Sequence, residues 1–141
     1  MDKNKLNRLI AKVEKPARYM GGELNMRIKA EAEFRFALCF PDTYEIGMSH
    51  LGSRIIYNIL NKRADTYCER VYAPWVDMEE QLRENNEPLF SLETRSPLRE
   101  FNVIGFSLLY EMCYTNILTV LELSGIPFLA SERGEDMPLI A

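Results

Sequence analysis

Apolar and polar positions along this chain fall into short runs that switch between a period of two and a period near 3.6. Phe34, Phe36, Leu38 and Phe40 alternate with Arg35, Ala37 and Cys39, and the second half of the run is apolar on both sides. That pattern predicts a strand buried inside a parallel sheet. Pro41-Asp42 breaks it. Leu51, Ile55, Ile59 and Leu60 then recur at helical spacing. They predict a helix capped by Ser49, with this stripe buried, closed by Asn61-Lys62-Arg63. Residues 66–73 (TYCERVYA) read as a second strand, short and near a sheet edge. Asp77 with Glu80 resembles a capping box, and Met78 and Leu82 should face the core of the helix that follows. Residues 88–93 (PLFSLE) suit either a short edge strand or an apolar loop over the sheet.

Residues 103–109 form the third predicted strand. A helix should start at Tyr114 or Thr115, and Ile117, Leu118, Val120, Leu121 and Leu123 make it apolar around most of its circumference. Such a helix is expected to be buried. Gly125-Ile126-Pro127 is a stop signal, residues 132–136 are a polar turn, and Leu139 opens a fourth strand. Ahead of all this, Leu6, Leu9, Ile10 and Val13 predict an amphipathic helix over 3–15, limited by Pro16. Gly21-Gly22 marks a turn or a close backbone approach.

Strand–helix repeated three times and followed by a strand predicts an α/β fold. We expect a Rossmann-like (flavodoxin-like) parallel sheet flanked by helices, incomplete at its C-terminus and preceded by an N-terminal helix. The economical strand order is 2-1-3-4, with its switch point between strands one and three. Ligands of such sheets gather beyond the carboxyl ends of the strands at that point. Loops 41–50 and 109–116 should therefore meet there. Residues 1–30 read as a helix and Gly-containing arm, and 31–141 as a partial domain, a fragment of a longer chain. Alone, such a fragment is expected to expose an apolar sheet edge and to aggregate.

Composition narrows the function. The 141 residues suit one domain with a real core, and no apolar stretch is long enough to span a bilayer. The N-terminus lacks an apolar signal region, so a cytoplasmic protein without a membrane partner is expected. Three scattered cysteines and one histidine, His50, argue against disulfides and against a self-contained metal site. The net charge of −4 is uneven: residues 1–30 carry +5 and residues 31–141 carry −9. The basic arm has no interleaved aromatic platform, so nucleic acid is not expected to bind this segment.

The first loop offers Asp42, Tyr44, Gly47, Ser49 and His50. Gly47 permits a sharp turn, and Ser49 with the following amides faces the crevice at a helix N-terminus. Asp42 and Glu45 oppose a phosphate there, and no Gly-rich phosphate motif is present. The second loop offers Ser107, Tyr110, Glu111, Tyr114 and Thr115, and Tyr110, Tyr114 and Asn116 suit either a large flat ligand or an interface. Cys113 reads as structural. No catalytic residue and no metal ligand is assigned to the chain itself.

Residues 15–25 (KPARYMGGELN), 40–61 (FPDTYEIGMSHLGSRIIYNILN), 69–83 (ERVYAPWVDMEEQLR), 88–93 and 104–118 (IGFSLLYEMCYTNIL) resemble the N-terminal region of radical S-adenosylmethionine proteins that carry a cobalamin-binding-like domain ahead of a catalytic barrel. The resemblance implies a corrin-binding fold, with the ten residues named above as candidate cofactor contacts. It also implies a downstream barrel in the same parent chain, holding a four-iron cluster and S-adenosylmethionine through a C-x-x-x-C-x-x-C motif that is absent here. Cobalamin domains with an axial histidine use D-x-H-x-x-G. Here Asp42 and His50 are eight apart and Gly52 stands two after His50, so axial ligation by His50 is not implied. The other readings are an interaction domain without a small-molecule ligand and a flavodoxin-like flavin or nucleotide binder.

Overall fold

The computed structural model describes residues 3–141. Its helices are α1 (Lys3–Ile10), α2 (Tyr44–Gly47), α3 (Leu51–Lys62), α4 (Val76–Asn85) and α5 (Cys113–Leu123), and its strands are β1 (Phe34–Phe40), β2 (Thr66–Tyr72), β3 (Val103–Phe106) and β4 (Leu139–Ile140). All strand pairs are parallel, in the order β2-β1-β3-β4. The fold is thus the Rossmann-like α/β sheet that the alternating pattern predicts. Among the described residues, no helix is long and apolar enough to cross a membrane.

Side chains alternate between the two faces of a strand, which divides the core. On one face α1, α4 and α5 bury Leu6, Met78, Leu82, Ile104 and Val120 against Ala37, Cys39 and Val71. On the other, α3 covers β1 and β2, and the buried cluster is only Leu38, Tyr57 and Cys68, flanked by Phe36 and Leu60.

Several elements differ from expectation. The first helix stops at Ile10, and a separate 3-10 turn spans Pro16–Tyr19. The stripe of α3 is inverted: Ser53 and Tyr57 face the sheet, whereas Leu51, Ile55 and Ile59 are exposed. α5 buries Cys113, Val120, Leu121 and Leu123 but leaves Tyr114 and Leu118 exposed, so it is covered on one side only. No capping box forms at α4. Its N-cap is Trp75, and Asp77 instead accepts the Met78 N–H (2.7 Å) and, across the fold, the Glu14 N–H (2.8 Å). β3 ends at Phe106, three residues early, and the chain leaves the sheet with Leu108 and Leu109 exposed. Gly125, at φ 64°, supplies the left-handed cap that ends α5.

The segment 88–96 is an apolar loop. Leu89, Phe90 and Leu92 are buried, and the Leu92 N–H donates to the Arg70 carbonyl (2.8 Å) along the outer edge of β2. Glu69, fully buried, fixes this loop. Its carboxylate accepts from Arg35 (2.6 Å), the Ser91 hydroxyl (2.7 Å), and the Thr94 N–H (3.1 Å) and hydroxyl (2.6 Å). Both oxygens of this buried carboxyl thus have donors, as burial of a polar group requires.

Candidate functional site

The loops after β1 and β3 meet beside one another at the carboxyl ends of their strands. The Ser107 N–H donates to the Cys39 carbonyl (2.9 Å), and Asn116 Nδ2 donates to the Pro41 carbonyl (2.9 Å). The Tyr110 hydroxyl donates to Asp42 Oδ2 in a short hydrogen bond across the junction. Asp42 Oδ1 accepts the Thr43 N–H (2.7 Å), which turns the chain into α2. The Asp42 contact, with a smaller contribution from Cys113, pushes the Tyr110 phenol well above its ordinary range, so it stays protonated as a donor. Asn116, read with Tyr110 and Tyr114 as a lining residue of the second loop, belongs to this junction.

The rest of the first loop turns away from it. Tyr44 lies edge-on to Tyr72 of β2 (5.4 Å between centroids), and its hydroxyl donates to Glu23 (2.6 Å). Gly47 packs flat on the sheet, where a Cβ would lie 2.5 Å from the Tyr72 ring and 2.9 Å from Phe40, and its carbonyl accepts the His50 N–H (3.1 Å) in the turn that leads into α3. Ser49 is exposed and donates to the Ile46 carbonyl (2.9 Å); it is not the helix cap. That role falls to His50, whose Nδ1 accepts the Ser53 N–H (3.1 Å) and lies 2.8 Å from the Ser53 hydroxyl, with its ring against Phe40 (5.3 Å). In the second loop Glu111, Tyr114 and Thr115 are exposed; Glu111 and Thr115 offer their carbonyls to the Tyr114 N–H and the Thr119 hydroxyl. The helix starts at Cys113, without a side-chain cap.

Sequence reasoning missed a polar cluster under α2 and α3. Arg70, on β2, donates through Nε to Glu93 (2.6 Å) and through Nη2 to Glu23 (2.8 Å), and its guanidinium lies over the Tyr57 ring (5.0 Å). Glu93 also accepts the Arg70 N–H (2.7 Å). Burial opposes the charge of Arg70, but Glu93 and Glu23 outweigh it and hold the guanidinium more firmly protonated than usual. Burial likewise opposes ionisation of Glu23, yet Arg70 and Tyr44 hold its carboxyl below the ordinary value. For Glu93 burial wins, and its pKa is pushed up to about 6. Burial also raises Tyr72 to about 12. Gly21 and Gly22, both at positive φ, bend the arm so that Glu23 reaches this cluster. That Gly pair was the one sequence signal available.

His50 as it stands does not fit an axial ligand to a corrin: its Nδ1 accepts the Ser53 N–H, which leaves the ring proton on Nε2, the nitrogen a metal would need. Nor do the cysteines fit an iron–sulfur cluster. Cys39 and Cys68 lie in the cores on opposite faces of the sheet, where burial raises both thiols.

Comparison with known proteins gives one positive finding. Residues 52–141 match the family model described as "Radical SAM proteins, N-terminal". The match takes in β2, β3, β4 and the Tyr110 loop and begins just after the first loop. No curated protein and no solved structure matches the chain. With almost two thirds of its length under that family model, the chain belongs to the family of radical S-adenosylmethionine protein N-terminal domains.

Proposed function

We propose that this domain packs against the catalytic barrel of its parent enzyme through the rim formed after β3, and is not itself catalytic. Family membership implies a radical S-adenosylmethionine catalytic domain in the parent chain, with its iron–sulfur cluster and S-adenosylmethionine. The observation that carries the reading is the rim: Leu108, Leu109, Met112 and Tyr114 are each half exposed or more, with Met112 at 75%. Apolar surface gathered on one loop and helix start marks an interaction site more often than a solvated turn. Asp42 and Asn116 anchor the loop from behind, so its apolar tips point outward on a fixed support. Hydrogen exchange on the full-length parent protein tests this. Residues 107–116 should exchange more slowly than in a full-length Met112→Asp/Tyr114→Asp variant. Equal exchange in the two proteins sinks the proposal.

The second reading is a corrin seated at the switch point, motivated by the position of the loops after β1 and β3 at the carboxyl ends of the parallel strands. Here Asp42, Ser107 and Tyr110 would offer hydrogen bonds and the exposed Tyr114 a flat surface, with no protein axial ligand. No step is assigned to the corrin. Titration of the full-length protein with hydroxocobalamin, followed by its absorption spectrum, checks it: a cofactor neither retained nor spectrally shifted at tens of micromolar removes this reading.

A further inference from the structure

The flank of α3 nearest β2 carries Arg54, Asn58 and Lys62, spaced every four residues and therefore in line. Facing it runs the segment 25–29, which is tied down at several points. The Arg27 N–H donates to the Tyr57 hydroxyl (2.8 Å), and the Arg27 carbonyl accepts from Tyr67 (3.1 Å). Lys29 donates to the Arg63 carbonyl (2.6 Å) and, in a shorter bond, to that of Thr66.

Two hollows lie between these walls and meet at Asn58. The inner one, about 130 Å³, has an apolar end formed by Leu38, Phe40, Met48 and Tyr72, and a polar mouth at Arg54 and Asn25. The outer one, about 370 Å³ and open, is lined by Arg27, Lys29 and Lys62. Among the described residues, none of Arg27, Lys29, Arg54 and Lys62 has a carboxylate in ion-pair range. The carboxylate that lines the inner hollow, Glu23, is paired with Arg70 (2.8 Å), which Glu93 shares. Arg27, Arg54 and Lys62 thus stand without a carboxylate partner around the two hollows, while Lys29 is held by two backbone carbonyls, in a chain whose net charge is −4. That grouping focuses positive potential on the mouth of the recess.

We propose that this flank is a binding site for a small organic anion carrying one compact apolar group. The apolar group enters the recess against Leu38, Phe40 and Met48, and the anionic head sits over Asn58 between Arg54, Arg27 and Lys62. The recess is well below the roughly 300–1,000 Å³ of pockets that hold drug-sized ligands, so the apolar part is a single ring or a short branched chain. Phosphate esters and carboxylates share this chemistry. The site is separate from the rim after β3 and does not depend on the docking reading: Met112→Asp/Tyr114→Asp should leave it intact.

Isothermal titration of the full-length protein with phenyl phosphate, and separately with benzoate, tests the proposal. At least one should bind saturably at about 1 mM or below. Arg54→Ala and Lys62→Ala should each weaken that binding about tenfold, the scale of losing one charge-assisted hydrogen bond. Both side chains are exposed, so circular dichroism and thermal melting should match the parent protein. Arg54→Lys should restore most of the affinity. Benzyl alcohol, with the ring but no charge, and inorganic phosphate, with the charge but no ring, should both bind more weakly than the better of the two probes. Binding unchanged in Arg54→Ala and Lys62→Ala overturns the site, as does the absence of saturable binding by both anions. Inorganic phosphate binding as tightly as the better probe overturns the apolar half and leaves a simple anion patch.

Discussion

Among the described residues, nineteen buried apolar ones form one continuous cluster on the side of the sheet packed by α1, α4 and α5. On the side packed by α3, three do, and the polar group of Arg70, Glu23 and Glu93 fills the space beside them. The same helix turns Leu51, Ile55 and Ile59 outward. The first side is held mainly by burial of apolar area, which is non-directional and cumulative. The second is held by a few oriented contacts, each depending on its partners. The first side should therefore respond to lost volume, and the second to charge and pH.

The largest effect should come from the first side. Leu82→Ala removes a fully buried side chain and should cost about 2–5 kcal/mol in urea unfolding, because the surrounding helices cannot close on the cavity. A cost near zero would mean that α4 is loosely packed, and the contrast between the faces would fail.

The next comes from the second side, as a pH dependence. The folded-state pKa of Glu93, about 6, lies above its unfolded value of 4.5. The folded protein therefore holds that proton more tightly. The associated stability is present below pH 4.5 and is lost as pH rises through about 6, on the order of 2 kcal/mol in all. Glu23, with its lowered pKa, runs the other way and loses stability as pH falls through its folded value. Glu93→Gln should abolish the first component and keep the second. Urea midpoints measured across this range should diverge between parent and variant, and parallel curves would contradict the assignment.

The smallest effect should come from the outward face of α3. Ile55→Ser and Ile59→Ser should change stability by no more than about 0.5 kcal/mol each, because both side chains are already about half in water or more. A loss comparable with that of Leu82→Ala would show that this face is covered in solution.

How far the sequence could be read follows the same division. Strand order was legible because β1 and β3 are apolar on both sides, which only central parallel strands require. The meeting of the Asp42 and Tyr110 loops follows from that order alone. The orientation of α3 was not legible. Its sequence offers one apolar stripe through Leu51, Ile55 and Ile59 and another position for the sheet through Tyr57 and Leu60, and periodicity does not say which meets the sheet. Tyr57 wins because Arg70 stacks on it and Arg27 donates to its hydroxyl. The Glu23–Arg70–Glu93 group joins residues 47 and 23 positions apart, and no local spacing encodes such a contact. His50 displaced Ser49 as the cap for a similar reason: its ring needed Phe40 beneath it, a neighbour set by the fold.

The buried Glu69 anchor has a consequence for assembly. By riveting the 88–96 loop onto the outer side of β2, it leaves that margin without a free ladder of amides and carbonyls. Among the described residues, the margin left for an added strand is the one beside β4, so lateral growth of this sheet runs one way.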